Sequence, residues 1–341
     1  FAPYERVLDT SKGIEWAQWF IGGKLNIAYN CLDRHAKSRS DKVAVIWQGE
    51  DGRIEKLSYG GLNEEVSKFA NGLKSLGVKK GDAVGLYLPM SPQVPIAMLG
   101  AFKIGAICVP IFSGFGASAV ASRLNDVQAK ILVTADGSLR KGRQLAVKKE
   151  ADATVDMVKS IEHVIVSKRL GVDITWSGER DIWWDDLVEG QPVDCPTAQL
   201  DSEDVSLVLY SSGTTGKPKG TVHTHAGALF ECAKDVGYHF DTKADDVFFW
   251  VTDIGWMMGP WMIIGVMNFG GTVVLFEGAF DYPQPDRLWE IIERLRVSIF
   301  GISPTLVRLL MRYGNQHLAG HDLTSLRILG STGEPWDPES W

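Results

Sequence analysis

Tyr210-Ser211-Ser212-Gly213-Thr214-Thr215-Gly216-Lys217-Pro218-Lys219-Gly220 follows the apolar run 205–209 (VSLVL) and precedes 221–225 (TVHTH), after which a helical pattern begins. The apolar run reads as a buried strand, so a strand empties into a loop rich in hydroxyls, glycine and lysine. Glycine lets the backbone close around an anion, and successive N–H groups in such a loop form a concavity for phosphate oxygens. Ser211, Ser212, Thr214 and Thr215 add hydroxyl donors, and Lys217 and Lys219 add positive charge. The loop reads as a cradle for a polyphosphate.

The G-x4-G-K-[ST] loop of many nucleotide triphosphatases does not fit this stretch. It requires glycine where Ser211 stands, and a magnesium-binding hydroxyl where Pro218 stands. Working outward, further buried strands are expected at 43–47, 83–88, 107–111, 129–134, 164–166, 247–250, 272–276, 297–300 and 326–329, with helical spacing between them. A helix capped by Ser58 carries Leu62, Val66, Phe69, Leu73 and Leu76 on one face and stops at Gly77. Another spans 93–104, and a third covers roughly 117–127. Continuous apolar strands alternating with helices imply parallel sheets covered on both faces. The expected fold class is α/β, with two consecutive doubly wound parallel lobes: an aromatic arm at 1–40, a first lobe at 41–200 and a second at 201–341. Residues 168–203 are polar and read as a surface connection. Ligands are expected at the carboxyl ends of the strands.

At 341 residues the chain is long enough to bury a substantial core, and 45% apolar and 23% charged residues are ordinary for a globular protein. The formal net charge of -7 argues against nucleic acid as a partner, while a local basic loop still suffices for a small anion. Residues 254–276 are free of charge, but Pro260, Asn268 and Gly270-Gly271 interrupt them. A buried helix, a glycine turn and a buried strand are expected there, and no membrane partner. Cys31, Cys108, Cys195 and Cys232 lack metal or disulfide spacing and read as buried free thiols of a cytoplasmic protein. His223 and His225 begin a metal site only if further ligands join them, so no metal residues are assigned. The first residue is Phe1 rather than Met, which implies a start trimmed from a longer chain.

The loop 211–220 resembles the signature loop of the adenylate-forming superfamily, which comprises acyl-CoA synthetases, peptide-synthetase adenylation domains and luciferases. Residues 19–35 (WFIGGKLNIAYNCLDRH), 253–256 (DIGW), 275–278 (LFEG) and 330–335 (GSTGEP) narrow the resemblance to acetyl-CoA synthetases over essentially the whole chain. The resemblance implies attack of a carboxylate on the α-phosphate of Mg-ATP, release of pyrophosphate, and displacement of AMP by the thiol of coenzyme A. It assigns Ser211, Ser212, Gly213, Thr214, Thr215, Gly216, Lys217 and Lys219 to the phosphates, and Gly333, Glu334 and Pro335 to the adenine border. From residue pattern alone, 333–335 is also a strand-to-helix turn. Trp256, Met257, Met258 and Thr332 match an acyl pocket. The resemblance implies a short-chain acid such as acetate, propionate or a hydroxy acid. Here Met257-Met258 stands where Val-Thr is usual, Pro260-Trp261 where His-Ser is common, and Thr332 where valine is usual, which points away from acetate, for example to a hydroxy acid. Arg140, Lys141 and Arg143 resemble the cluster that meets the 3′-phosphate of CoA, with Asp281 near another CoA contact. By charge pattern alone, 140–143 reads as a solvated helix start; the CoA role is what the resemblance implies. The family's further motifs and its mobile lysine-bearing domain are not found before Trp341, so this amino-terminal portion is expected to adenylate negligibly alone. Competing expectations are a medium-chain acyl-CoA ligase, transfer to a carrier protein, and a non-catalytic nucleotide-binding module.

Overall fold

The computed structural model describes residues 1–211 and 218–339. The apolar runs form strands of two large sheets. One has seven strands in the order Asp181–Trp183, His163–Ser167, Ile131–Ala135, Ala83–Leu86, Ile107–Pro110, Val205–Ser211 and Lys219–Thr224. All neighbours in it are parallel except the last pair, a hairpin. The other has six strands in the order Ile328–Gly330, Ile299–Gly301, Val247–Trp250, Thr272–Glu277, Val43–Gly49 and Ile54–Ser58. It too is parallel apart from its final hairpin pair.

The expected local signals act where they stand. The Ser58 hydroxyl accepts from the Gly61 N–H at 3.1 Å and starts helix Tyr59–Ser75. Gly52, at φ 85°, makes the turn between Val43–Gly49 and Ile54–Ser58. Helix Gln93–Ile104 is buried on nearly all sides and apolar to match, apart from Lys103, whose buried ammonium pairs with Asp33 at 2.6 Å. It lies with helices Tyr59–Ser75, His225–His239 and Met258–Asn268 in a layer between the sheets. One core cluster joins Val45 and Trp47 of the six-stranded sheet and Leu86 and Ile131 of the seven-stranded sheet to Phe69, Phe102, Cys232 and Ile264 of those helices. Helices Ala117–Asp126 and Val147–Val155 cover the outer face of the seven-stranded sheet. Helices Arg287–Leu295 and Pro304–Met311 cover that of the six-stranded sheet. The result is five layers, with α and β alternating. All four cysteines are buried and free, and no helix among the described residues is long and apolar enough to cross a membrane.

Chain order and sheet membership differ at two places. The strand Val43–Gly49, expected in the first lobe, pairs with Thr272–Glu277. The strand Val205–Ser211, expected to open the second lobe, pairs with Ile107–Pro110. A strand that is apolar on both faces shows that it is buried, not which sheet receives it. The segment 168–203 also departs from a surface connection. It contributes the edge strand Asp181–Trp183, and Trp184 is buried with its ring stacked on Phe69 at 4.3 Å. The arm is partly built in, since Asn26 donates to the Phe102 carbonyl at 2.7 Å.

Two histidines couple this packing to pH. Burial lowers both His35 and His225 from the ordinary 6.5 to about 4. Nδ1 of His225 accepts from the Ile27 N–H at 3.3 Å, a role that needs an unprotonated nitrogen. Folding therefore holds both rings neutral, whereas the unfolded chain takes up their protons near 6.5. Their contribution is complete above that pH and is lost as pH falls toward 4. In urea titrations across this window, His225→Gln should flatten the fall of stability with pH by about one proton's worth; an unchanged slope would refute the assignment.

Candidate active site

The parallel strands of both sheets end on one cleft of about 710 Å³. Met90, Ser113 and Arg140 reach it from segments that follow strands of the seven-stranded sheet, and Asp253, Ser303 and Gly333 from segments that follow strands of the six-stranded sheet. This is where parallel α/β sheets bind ligands, because loops diverge there and free backbone groups are available. A hollow of about 330 Å³ between the arm and helix His225–His239, lined by Tyr4, Phe20 and Phe230, lacks that placement.

The two halves of the cleft are tied through Asp253. Its carboxylate accepts from the Ser113 hydroxyl at 2.6 Å and from the Gly255 N–H at 2.9 Å. Burial raises its pKa, and these hydrogen bonds from Ser113 and Gly255 oppose the rise. Gly255 lies so close to the neighbouring loop that an added Cβ would stand 2.0 Å from the Phe112 nitrogen. Beside this joint the Trp256 ring meets Phe112 at 5.4 Å and Phe115 at 6.4 Å. The Arg123 guanidinium lies 4.3 Å over Phe115.

Of the residues expected in an acyl pocket, Trp256, Met258 and Thr332 line the cleft together. Trp256 remains 50% exposed, so one wall is open; Met257 is exposed and lies outside the lining. In the expected adenine segment, Gly333 lines the cleft at φ 106°, a conformation suited to glycine. The Glu334 side chain does not. It accepts from the Thr305 N–H at 2.7 Å and pairs with Arg308 at 2.8 Å, capping helix Pro304–Met311. Pro335 is exposed next to it.

The basic segment is a β-hairpin rather than a helix start. Arg140 and Arg143 are opposite partners at its end, with Arg140 in the cleft lining. Lys141 reaches Asp281 at 2.8 Å, and Asp281 also accepts from the Tyr313 hydroxyl at 2.8 Å. The four residues expected near CoA therefore form one cluster at the cleft edge. At the phosphate loop, Ser211 and Lys219 are paired at the base of the hairpin. Ser212, Gly213, Thr214, Thr215, Gly216 and Lys217 lie outside the described residues. His225 points into the core, and the described residues hold no cluster of three or more His, Cys, Asp or Glu that suits a metal.

Phe112, Ser113 and Ser303 belong to the cleft without having been singled out in the sequence. The glycine-rich 112–116 (FSGFG) after a strand carried a signal for the first two; the helix cap at Ser303 carried none.

Comparison with known proteins agrees with this geometry. The model of the AMP-binding enzyme family matches residues 32–341, and that of the acetyl-coenzyme A synthetase N-terminus matches residues 1–31. The chain belongs to the AMP-binding enzyme family. It is 46% identical to acetyl-coenzyme A synthetase of Methanothrix thermoacetophila, over all of this chain and 52% of that protein. It is also 46% identical to the Rubrobacter xylanophilus acetyl-coenzyme A synthetase, over 95% of this chain and 51% of that one. Among solved structures, acetoacetyl-CoA synthetase from Streptomyces lividans superposes with a TM-score of 0.92 at 32% identity, over 99% of this chain and 51% of that chain. The chain thus spans about half the length of the relatives it matches.

The contact at Gly255 has a measurable consequence. Because the obstructing atoms are backbone, Gly255→Ala should cost about 1–3 kcal/mol, the range for overpacking a tight site. Urea unfolding measures this; a loss below about 0.5 kcal/mol, the scale of ordinary surface changes, would show that the loops yield freely.

Proposed function

We propose that this chain carries the nucleotide- and acyl-binding part of an AMP-forming acyl-CoA synthetase acting on a short-chain carboxylic acid. The observation that carries the reading is a single cleft, at the strand ends of both sheets, lined jointly by Trp256, Met258, Thr332, Gly333 and Arg140. In this reading ATP enters with its adenine against the backbone at Gly333–Pro335 and its β- and γ-phosphates in the loop from Ser211 to Lys219. Lys217 and Lys219 offset phosphate charge, and the hydroxyls and N–H groups of the loop bind the oxygens. Magnesium would arrive as the counter-ion of the nucleotide.

The acid lies against Trp256, Met258 and Thr332, with Met257 at the margin. A carboxylate oxygen attacks the α-phosphorus, the bond to the bridging oxygen breaks, and pyrophosphate leaves with that electron pair. The CoA thiolate then attacks the acyl carbonyl, and AMP leaves as the thioester forms. For the first step the cleft chiefly supplies alignment of two anionic reactants and neutralisation of charge, the main needs of phosphoryl-group chemistry. Asp253 frames the pocket rather than reacting, since Ser113 and Gly255 occupy its oxygens. Arg140, Lys141, Arg143 and Asp281 form the proposed CoA edge, with the arginines meeting the 3′-phosphate.

The acid is proposed to be larger or more polar than acetate. Met258 offers an adaptable wall, and the Thr332 hydroxyl a partner for a polar substituent. In the intact protein, acid-dependent ATP–pyrophosphate exchange and thioester formation should both be highest with a hydroxy or other short-chain acid in a panel of C2 to C6 acids. Strict preference for acetate would overturn the substrate assignment, and exchange without thioester formation would redirect the reading to a carrier-protein acceptor. A thermal-shift series with ATP, AMP and CoA should give stabilisation by each; none from CoA would remove the proposed acceptor.

A further inference from the structure

The hairpin formed by Ser138–Arg140 and Arg143–Leu145 sets Arg140 directly opposite Arg143. Like charges so placed repel, and neither arginine has an ion-pair partner among the described residues, while Lys141 between them is already paired with Asp281. The turn itself is left-handed at both positions, with φ of 51° at Lys141 and 70° at Gly142. Both of its N–H groups end on one carboxylate. Glu50 accepts from Lys141 at 2.9 Å through Oε2 and from Gly142 at 2.8 Å through Oε1. Oε2 also accepts from the Ala279 N–H at 2.7 Å. Gly278 lets the chain come this close, since an added Cβ there would stand 2.7 Å from Cβ of Glu50.

Glu50 is only 5% exposed, and its carbonyl is held by Arg287 at 3.1 Å. Its carboxylate has no cationic partner among the described residues, so three backbone N–H groups are what satisfy it. Charge-assisted bonds of this kind are the strong ones, and a buried carboxylate needs them. Glu277 also holds the hairpin, through the Leu139 N–H at 3.0 Å, but its charge is matched by Arg169 at 2.5 Å. Among the described residues, Glu50 is the side chain that holds the backbone N–H groups of the turn between the two arginines, while Asp281 holds the Lys141 side chain.

We propose that Glu50 is a positioning residue for anion recognition, setting where Arg140 and Arg143 present their guanidinium groups to the 3′-phosphate of CoA. The inference rests on the reading of those arginines given above. With the turn pinned, two repelling cations start from fixed, adjacent backbone positions, and an arriving phosphate relieves their repulsion. With the turn released, the arginines relax apart and the site loses its grip on phosphate. The rest of CoA binds as before.

The test compares the affinities of the intact protein for CoA and for 3′-dephospho-CoA by calorimetry, with ATP affinity as a control. Glu50→Gln should reduce the preference for CoA about tenfold, the scale of one lost charge-assisted hydrogen bond, and leave ATP binding unchanged. Glu50→Asp, which keeps the charge but shortens its reach, should fall between and carries the test if the glutamine variant does not fold. An unchanged preference in the Glu50 variants, with preference abolished in the Arg140→Ala, Arg143→Ala double variant, would overturn the role of Glu50 alone. An unchanged preference in the double variant would remove both the role and the reading beneath it.

Discussion

The joint between Asp253 and Ser113 is the contact on which the rest of the cleft depends. Ser113 follows a strand of the seven-stranded sheet and Asp253 follows a strand of the six-stranded sheet, so their 2.6 Å hydrogen bond closes the gap between the two layers at the carboxyl ends of the strands. The absence of a side chain on Gly255 lets the loops touch backbone to backbone. A similar tie lies deeper, where the Trp47 indole of one sheet donates to the Met90 carbonyl beyond a strand of the other at 2.8 Å. Both ties place loops of different sheets at fixed separation. The relative placement of the cleft walls therefore rests on packing between the two sheets.

The electrostatics of the cleft follow the same division. Acidic groups near it are engaged by backbone or side-chain donors: Asp253 by Ser113 and Gly255, Glu50 by the 141–142 turn, Glu277 by Arg169 and Leu139. The arginines of the hairpin are not paired among the described residues. A chain of net charge -7 therefore offers anions a local basic edge while its nearby carboxylates serve as scaffolding. Global charge says little about such a site, because the relevant field acts over a few ångströms.

Much of the local structure was legible in the sequence because short-range physics controls it. The Ser58 cap, the Gly52 turn, the extent of helix Gln93–Ile104 and the sequence 254–276 as helix, turn and strand all depend on neighbours in the chain. The site was legible differently. Trp256, Met258, Thr332, Gly333 and Arg140 were singled out by resemblance to a family's motifs, not by residue pattern, and the fold brings them to one cleft. Glu334 shows the limit of that approach, since its side chain caps a helix while the backbone at Gly333 faces the cleft. Residues 183–184 show another. Two tryptophans among aspartates read as surface, yet Trp184 finds a place against Phe69 that only the folded chain creates.

The sequence by itself determined the α/β class and the hairpin-and-helix punctuation, since apolar runs, caps and turn residues are encoded locally along the chain. Tertiary structure alone decided which sheet receives Val43–Gly49 and Val205–Ser211, because strands apolar on both faces are interchangeable to any local rule. It also decided that Glu50, some 90 residues before the turn it grips, belongs to the basic hairpin. A carboxylate meeting backbone N–H groups leaves no trace in the side chains of its partners, so no pattern in the sequence announces it.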